Sequence, residues 1–488
     1  MSGKSVPNYY NKPIAASLEE NIANIRHISQ NSSDMLINRV TIGGIPCALL
    51  ACEGMVGVSF LADLVFEPLT ELPPMPDSDA LFEHVRSRLL LSVDRPVVYN
   101  YGELFRTVNS GFAVLIAEGQ TRAFAFGAQG YDRRGVGEPS GEANVLGARD
   151  GFVEVIRPNM SLLRRRMKSP FLKLELFNIG TVSQTDICLC YLHDRVPETL
   201  LRQIKERLQS TELETILSTG YLQPFLENRR GNLFDTVSLT ERPDVLCAKL
   251  LEGRVGILID GSPFAMVVPK LFVESFQALD DYNFKPYYAT LIRWLKYAAF
   301  LIALLLPALY IAICTHHQEL LNSTLLLILS EAEAKAPLSL TAEAVGVLLM
   351  YEIVREAGLR LPKAVGGAVS IVAGLIIGDA AVSSGLISTP VLTMVAISVI
   401  AGYVLPDLNQ AITILRIAFI LCGGLWGLYG TALLGMAVMF NLCACESFGY
   451  PLTAPLSPMH WRGMRDVATR VNFRRLQRGH FTVEEYHE

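Results

Sequence analysis

Charge is scarce in this 488-residue chain: 18% of its residues are Asp, Glu, Lys or Arg, against roughly 25% in a soluble domain. The shortfall is local, since residues before about 288 have an ordinary composition while Lys and Arg are absent from 364 through 415. No basic patch interleaved with aromatics is present, and a formal net charge of −5 gives no reason to expect nucleic acid as a partner. The first twenty residues hold no apolar core, so no signal peptide is read there and the N-terminal region is expected on the cytoplasmic side. The nine cysteines contain no CxxC pair and no grouping with His at metal-ligand spacing. They are read as buried free thiols, with Cys188 and Cys190 on one face of a strand, and no metal or cofactor is expected. Walker loops, GxSxG elbows and HExxH motifs are missing too, which leaves an enzyme reading without a constellation.

What is present divides in two. The expected fold is an α/β cytosolic region of two subdomains followed by an α-helical, multi-span transmembrane domain. Residues 1–16 read as a disordered N-terminus, 17–148 as the first subdomain, 149–285 as the second, 286–450 as about six transmembrane helices and 451–488 as a basic cytoplasmic tail. Ser17 followed by Glu20 suggests a capping box for a helix over 17–32. Alternating apolar runs at 37–42, 45–51, 112–117 and 123–126 read as strands, the last two as a hairpin. Helices are expected at 59–69 and 78–91. A Gly-, Pro- and Glu-rich stretch at 135–148 separates the subdomains. A helix over 150–167 then ends in Arg164, Arg165 and Arg166. These suit either a solvated helix C-terminus or a contact with anionic lipid headgroups or an acidic partner. Strands at 173–179, 185–191, 255–259 and 264–268, with helices at 197–208, 215–225 and 243–251, make a second small sheet.

The stretch over 351–386, YEIVREAGLRLPKAVGGAVSIVAGLIIGDAAVSSGL, is the most informative. A charged knot containing Glu352, Arg355 and Glu356 runs into an apolar segment long enough to cross a bilayer. The segment carries small residues, among them Gly374 and Gly378, that permit close helix packing. Its single acid, Asp379, is costly in lipid unless it meets water, an ion or a partner. Further spans are read at 295–315, with Pro307 expected to kink it, at 340–354 and at 391–405. The apolar region 411–447 is too long for one span and is read as two, folded near 427–430. Residues 319–330 are too short to cross and suit an interfacial helix. With six spans every Arg- or Lys-bearing segment falls on the cytoplasmic side. Asp407 and Arg416 are then expected at the interface. Asp379, Glu352, Glu356 and Arg355 are the residues chosen for permeation or gating, and Gly374 and Gly378 for packing.

Three ordered stretches carry a resemblance to a known family: EPSGEANVLGARDGFVEVIRPNMSLLRRRMKSPFLKLE at 138–175, TERPDVLCAKLLEGRVGILIDGSPFAMVVP at 240–269, and 351–388 followed by SFGYPLTAPLSP at 447–458. They resemble the A subunit of the GerA family of spore germinant receptors. The resemblance covers nearly the whole chain after residue 32. It implies a multi-pass protein of the spore inner membrane that works with a transporter-like B subunit and a lipoprotein C subunit. It further implies a homo-oligomer, in contact with membrane lipids, that forms a nutrient-gated channel releasing monovalent cations. A related protein encoded among the dipicolinic-acid channel genes shares the motifs. The sequence departs from the family at Asn322 and Asp235, where Pro is common, and at 331–335, where an Arg often sits. The other function classes left open are a secondary transporter and a membrane-anchored scaffold.

Overall fold

A computed structural model describes residues 9–57, 67–88, 96–127, 130, 139, 142, 146–227, 232–362, 374, 378–472 and 483. The helix expected at 59–69 lies mostly outside the described residues, as do most of 135–148 and 363–377.

The N-terminal region holds two five-stranded antiparallel sheets built on one plan. In the first, α1 (Leu18–Ser29), β1 (Met35–Ile42), β2 (Ile45–Cys52), α2 (Ser78–Arg88), β3 (Val97–Val98), α3 (Tyr101–Val108), β4 (Phe112–Ala117) and β5 (Ala123–Gly127) follow in turn, and the strand order is β1-β2-β4-β5-β3. In the second, α4 (Ile156–Arg166), β6 (Leu172–Ile179), β7 (Thr185–Leu192), α5 (Glu198–Gln209), α6 (Thr219–Leu226), β8 (Ser238–Thr240), α7 (Pro243–Leu251), β9 (Val255–Ile259) and β10 (Ala265–Val268) give β6-β7-β9-β10-β8. Leaving out α6 and a four-residue helix at Glu67–Thr70 in the first unit, the two units share the order αββαβαββ. This internal repeat was not read in the sequence. Helices cover both faces of each sheet, so central strands such as β7 and β9 are buried on both sides and lose the simple alternation of a one-sided sheet. Leu246 and Leu250 of α7 pack with Leu174, Cys188 and Cys190 on one face. Leu200 and Ile204 of α5 pack with Ile187 and Leu189 on the other.

Several local expectations change. Residues 9–16, read as disordered, are fixed by burial of Ile14 and a bridge from Pro13 to Asn100. The capping box at Ser17 does not form. Instead the Leu18 amide donates to Glu118 Oε2 at 2.7 Å, and Asn21 bonds both backbone groups of Ala15. The helix expected over 150–167 begins only at Ile156, because Asp150 faces Arg165 and Arg166 from outside it.

The C-terminal region is helical: α8 (Pro286–His316), α9 (Ser323–Glu333), α10 (Leu340–Arg360), α11 (Thr389–Tyr403) and α12 (Asn409–Ala444). Among the described residues two helices, Pro286–His316 and Pro406–Ala444, are long and apolar enough to cross a membrane. The second is a hairpin. Gly423 and Thr431 are eight residues apart, about 12 Å along a straight helix, yet a Cβ on Gly423 would lie 3.2 Å from Thr431 Cγ2. The turn is Gly427, at φ 60° and ψ −146°, a backbone region essentially reserved for glycine. Its tip packs on His316 at the end of α8. The fold expected near 427–430 is therefore located at Gly427. α8 itself continues through Pro307 without a break.

The tail is not separate from the rest. After α12, Phe448, Tyr450, Ala454 and Val467 join the core of the second sheet, together with Val483. Ser447 Oγ donates to the Thr236 carbonyl at 2.7 Å, and the Arg207 guanidinium stands 4.3 Å over the Phe448 ring.

Candidate functional site

The residues singled out in the sequence lie in three places. Arg164 is buried against the boundary between the two sheet units. Its Nε donates to Asp34 Oδ2 at 2.8 Å, its Nη2 to Asp34 Oδ1 at 2.9 Å and to the Leu172 carbonyl at 3.0 Å. Burial alone would lower the Arg164 pKa, but the Asp34 carboxylate holds it above its ordinary value. The expectation of a surface contact is corrected for Arg164: its guanidinium is bonded in the interior, to Asp34, Ser32 and the Ser169 and Leu172 carbonyls. Arg165 and Arg166 remain nearer the surface, both paired with Asp150.

The charged knot of α10 divides across the helix. Glu352 Oε2 lies 2.6 Å from Arg355 Nη2, and Glu352 Oε1 accepts from Thr413 Oγ1 of α12 at 3.3 Å. One residue away, Tyr351 donates its hydroxyl to Tyr403 of α11 at 2.6 Å. This polar layer joins three helices. Glu356 takes no part in it; it pairs with Arg360 at 2.6 Å on an exposed face.

Asp379 is elsewhere. Ser388 at the start of α11 gives its amide and hydroxyl to the buried Glu343 carboxylate at 2.9 and 2.8 Å, and Glu343 is in the first turn of α10. Residues 379–388 thus lie at the end of the bundle where α10 begins. Glu352 is nine residues further along α10, about 14 Å of helix. Asp379 is exposed and has no hydrogen-bond or ion-pair partner among the described residues. Among the described residues a Cβ added to Gly374 or Gly378 would meet nothing within 4 Å. Among the described residues an added Cβ would instead be crowded at Gly423, 2.7 Å from the Ala308 carbonyl, at Gly424, by Thr341, and at Gly402, 2.8 Å from Arg416 Nη2. Arg416 is 3% exposed and sits inside the bundle rather than at its edge, because carbonyls of α8 and α11 face it.

At the other end a collar fixes the base of α8. Buried Arg293 pairs with Asp281 at 3.2 Å and with Asp466 at 3.3 Å. Tyr282 donates to Asp466 at 2.6 Å, and Trp294 Nε1 donates to the Ala468 carbonyl at 2.8 Å. Burial, and then the Asp466 charge, push the Tyr282 hydroxyl well above its ordinary pKa. No sequence pattern signals this collar, because Asp466 and Ala468 lie 173 and 174 residues beyond Arg293 and Trp294. Below it, Arg254 and Lys249 flank Glu274. Burial would raise that carboxyl, but the two cations bring it down to about 2. Among the described residues no His, Cys, Asp or Glu group has the arrangement of a metal site.

Comparison with known proteins places the chain. The family described as Bacillus/Clostridium GerA spore germination protein matches residues 23–480. Spore germination protein KA of Bacillus subtilis (strain 168) is 35% identical over 464 residues, covering 94% of this chain and 85% of the relative. Spore germination protein GerLA of Bacillus cereus is 29% identical over 462 residues, covering 94% of each. Among solved structures, the N-terminal domain of the A subunit of the Bacillus megaterium spore germinant receptor GerK3 is 27% identical. That similarity covers 54% of this chain and 98% of the other at a TM-score of 0.43. The chain belongs to the GerA family of spore germination proteins.

Proposed function

We propose that this chain is the A subunit of a spore germinant receptor, seated in the spore inner membrane with its two sheets on the cytoplasmic side. Several copies surround a pore for monovalent cations that opens when a nutrient is sensed. The observation that carries this reading is Asp379, an exposed carboxylate in an apolar run with no hydrogen-bond or ion-pair partner among the described residues. Such a group is costly against lipid. A water-filled pore, or a neighbouring copy, supplies what the single chain does not. Among the described residues a Cβ at Gly374 or Gly378 meets nothing within 4 Å, which suits a helix of that neighbour.

Five of the six proposed crossings are supported by helix direction. α8 leaves the sheets at Arg293 and ends at the Gly427 tip; α10 starts near that tip, where Thr341 meets Gly424, and returns. α11 starts beside Glu343 and also returns. α12 goes out to Gly427 and comes back to Asn441, whose side chain accepts from the Leu233 amide at 3.4 Å. The remaining crossing is the one expected at 364–386, most of which lies outside the described residues. Arg293, Arg360 and Arg470 then share the cytoplasmic end, and α9 lies at the outer surface. A B subunit resembling transporters and a lipoprotein C subunit are the partners, and no catalysis is assigned. The break at Gly427 lies at the end of the bundle, not at mid-depth where secondary transporters bind substrate, which favours the channel.

The test is the mass of the full-length chain in mild detergent, by light scattering with the detergent subtracted. A discrete ring of several copies is expected, since a central pore follows from closed symmetry. A monomer that stays monomeric when lipid is restored would refute the pore.

A further inference from the structure

Pro307 has no amide hydrogen, so the carbonyl of Ala303, one turn earlier in α8, loses its helical donor. In an apolar bundle a carbonyl left without a donor is costly. Two side chains from other helices reach it: Ser398 Oγ of α11 at 2.8 Å and Arg416 Nε of α12 at 3.0 Å. Arg416 Nη2 also donates to the Ser398 carbonyl at 3.3 Å. Gly402 leaves room for the guanidinium, because a Cβ there would stand 2.8 Å from Nη2. Among the described residues no carboxylate forms an ion pair with Arg416.

Ser398 alone would satisfy the Ala303 carbonyl. A buried cation on the same atom, held by carbonyl dipoles without a counter-charge, is an expensive addition in lipid. The nearest alternative partner is close. Thr413, three residues before Arg416 and so on the same face of α12, already bonds Glu352, and Glu352 is now engaged by Arg355.

We propose that Arg416 is a latch: the Ala303 and Ser398 carbonyls hold it in the resting arrangement of α8, α11 and α12, and it exchanges them for the Glu352 carboxylate when these helices shift. This rests on the channel reading above. Arg416 acts as a positioning residue, and the two sets of partners define two discrete packings rather than a continuous motion.

The experiment uses the full-length receptor in spores, with potassium loss measured without nutrient and after a nutrient mixture. Arg416→Met should raise nutrient-free loss at least threefold. Glu352→Gln, which removes the second partner, should lower the nutrient response at least threefold. The double variant should behave as Arg416→Met alone. Additive effects, or both single variants moving loss in one direction, would overturn the latch. Wild-type spores that release no potassium on nutrient would overturn the channel reading and the latch with it. The contact is checked separately by unfolding the purified full-length chain in detergent. Pro307→Ala returns a helical donor to Ala303, so the effect of Arg416→Met should shrink in that background; equal effects in both backgrounds would contradict the contact. Arg416→Lys serves in the same cycle if the Met variant does not accumulate.

Discussion

Arg164 and Asp34 join the two sheet units through a buried ion pair of 2.7 Å. Removing one partner strands a charge in the interior, which costs about 3–5 kcal/mol, whereas removing both can be nearly neutral. Arg164→Met and Asp34→Asn are each expected to destabilise the full-length chain by that amount in chemical unfolding, and the double variant by clearly less. Equal or additive losses would show that the pair is not the link. Glu274 gives a pH dependence. Its carboxyl is held near 2 in the fold against 4.5 when unperturbed. A depressed carboxyl contributes stability that is complete above its unfolded value and is lost as pH falls through the folded value. Unfolding measured between pH 5 and about 2 should therefore show a decline, on the order of 3 kcal/mol in all. Glu274→Gln should flatten that part of the profile. The chemistry of these residues was legible in the sequence, but not their partners. Arg164 stood in a basic run that suits a surface, and only the fold brings Asp34, 130 positions earlier, against it.

At the scale of elements, Gly427 is the sharpest feature. Its backbone conformation strains any residue with a Cβ by about 1–3 kcal/mol, and that Cβ would also stand 2.9 Å from His316. Gly427→Ala should lower the unfolding temperature of the chain in detergent markedly. Alanine at half-buried Gly435, where a Cβ meets nothing within 4 Å, should not. Length alone exposed this turn in the sequence, because an apolar run of that size does not fit one bilayer crossing. The longer strands of both sheets, all but β3 and β8, were legible for a similar reason: short β-branched and apolar runs bounded by glycine leave few alternatives. The shared αββαβαββ order was not. It lives in hydrogen-bond register, which fixes β3 and β8 at the sheet edges although each is two or three residues long. The polar layer of Glu352, Arg355 and Thr413 was half visible, as a charged cluster without its partner helix. The knot at Ala303 was invisible, since a freed carbonyl has no sequence signature beyond Pro307.

At the scale of the whole molecule, the sheets and the helices form one structure. The tail returns from α12 into the second sheet through Phe448 and Tyr450, and the collar at Arg293 ties the first long helix to the same tail. A change in the sheets is thereby connected to both ends of the helical region, the arrangement a receptor subunit requires if sensing and permeation are coupled. The most direct measurement of the central claim is cation conductance across bilayers containing the full-length chain with its partner subunits. The account predicts a nutrient-dependent monovalent cation current whose size or selectivity changes with Asp379→Asn while the assembled mass does not. A fully assembled receptor that carries no current, or one whose current is unaltered by that substitution, would contradict it.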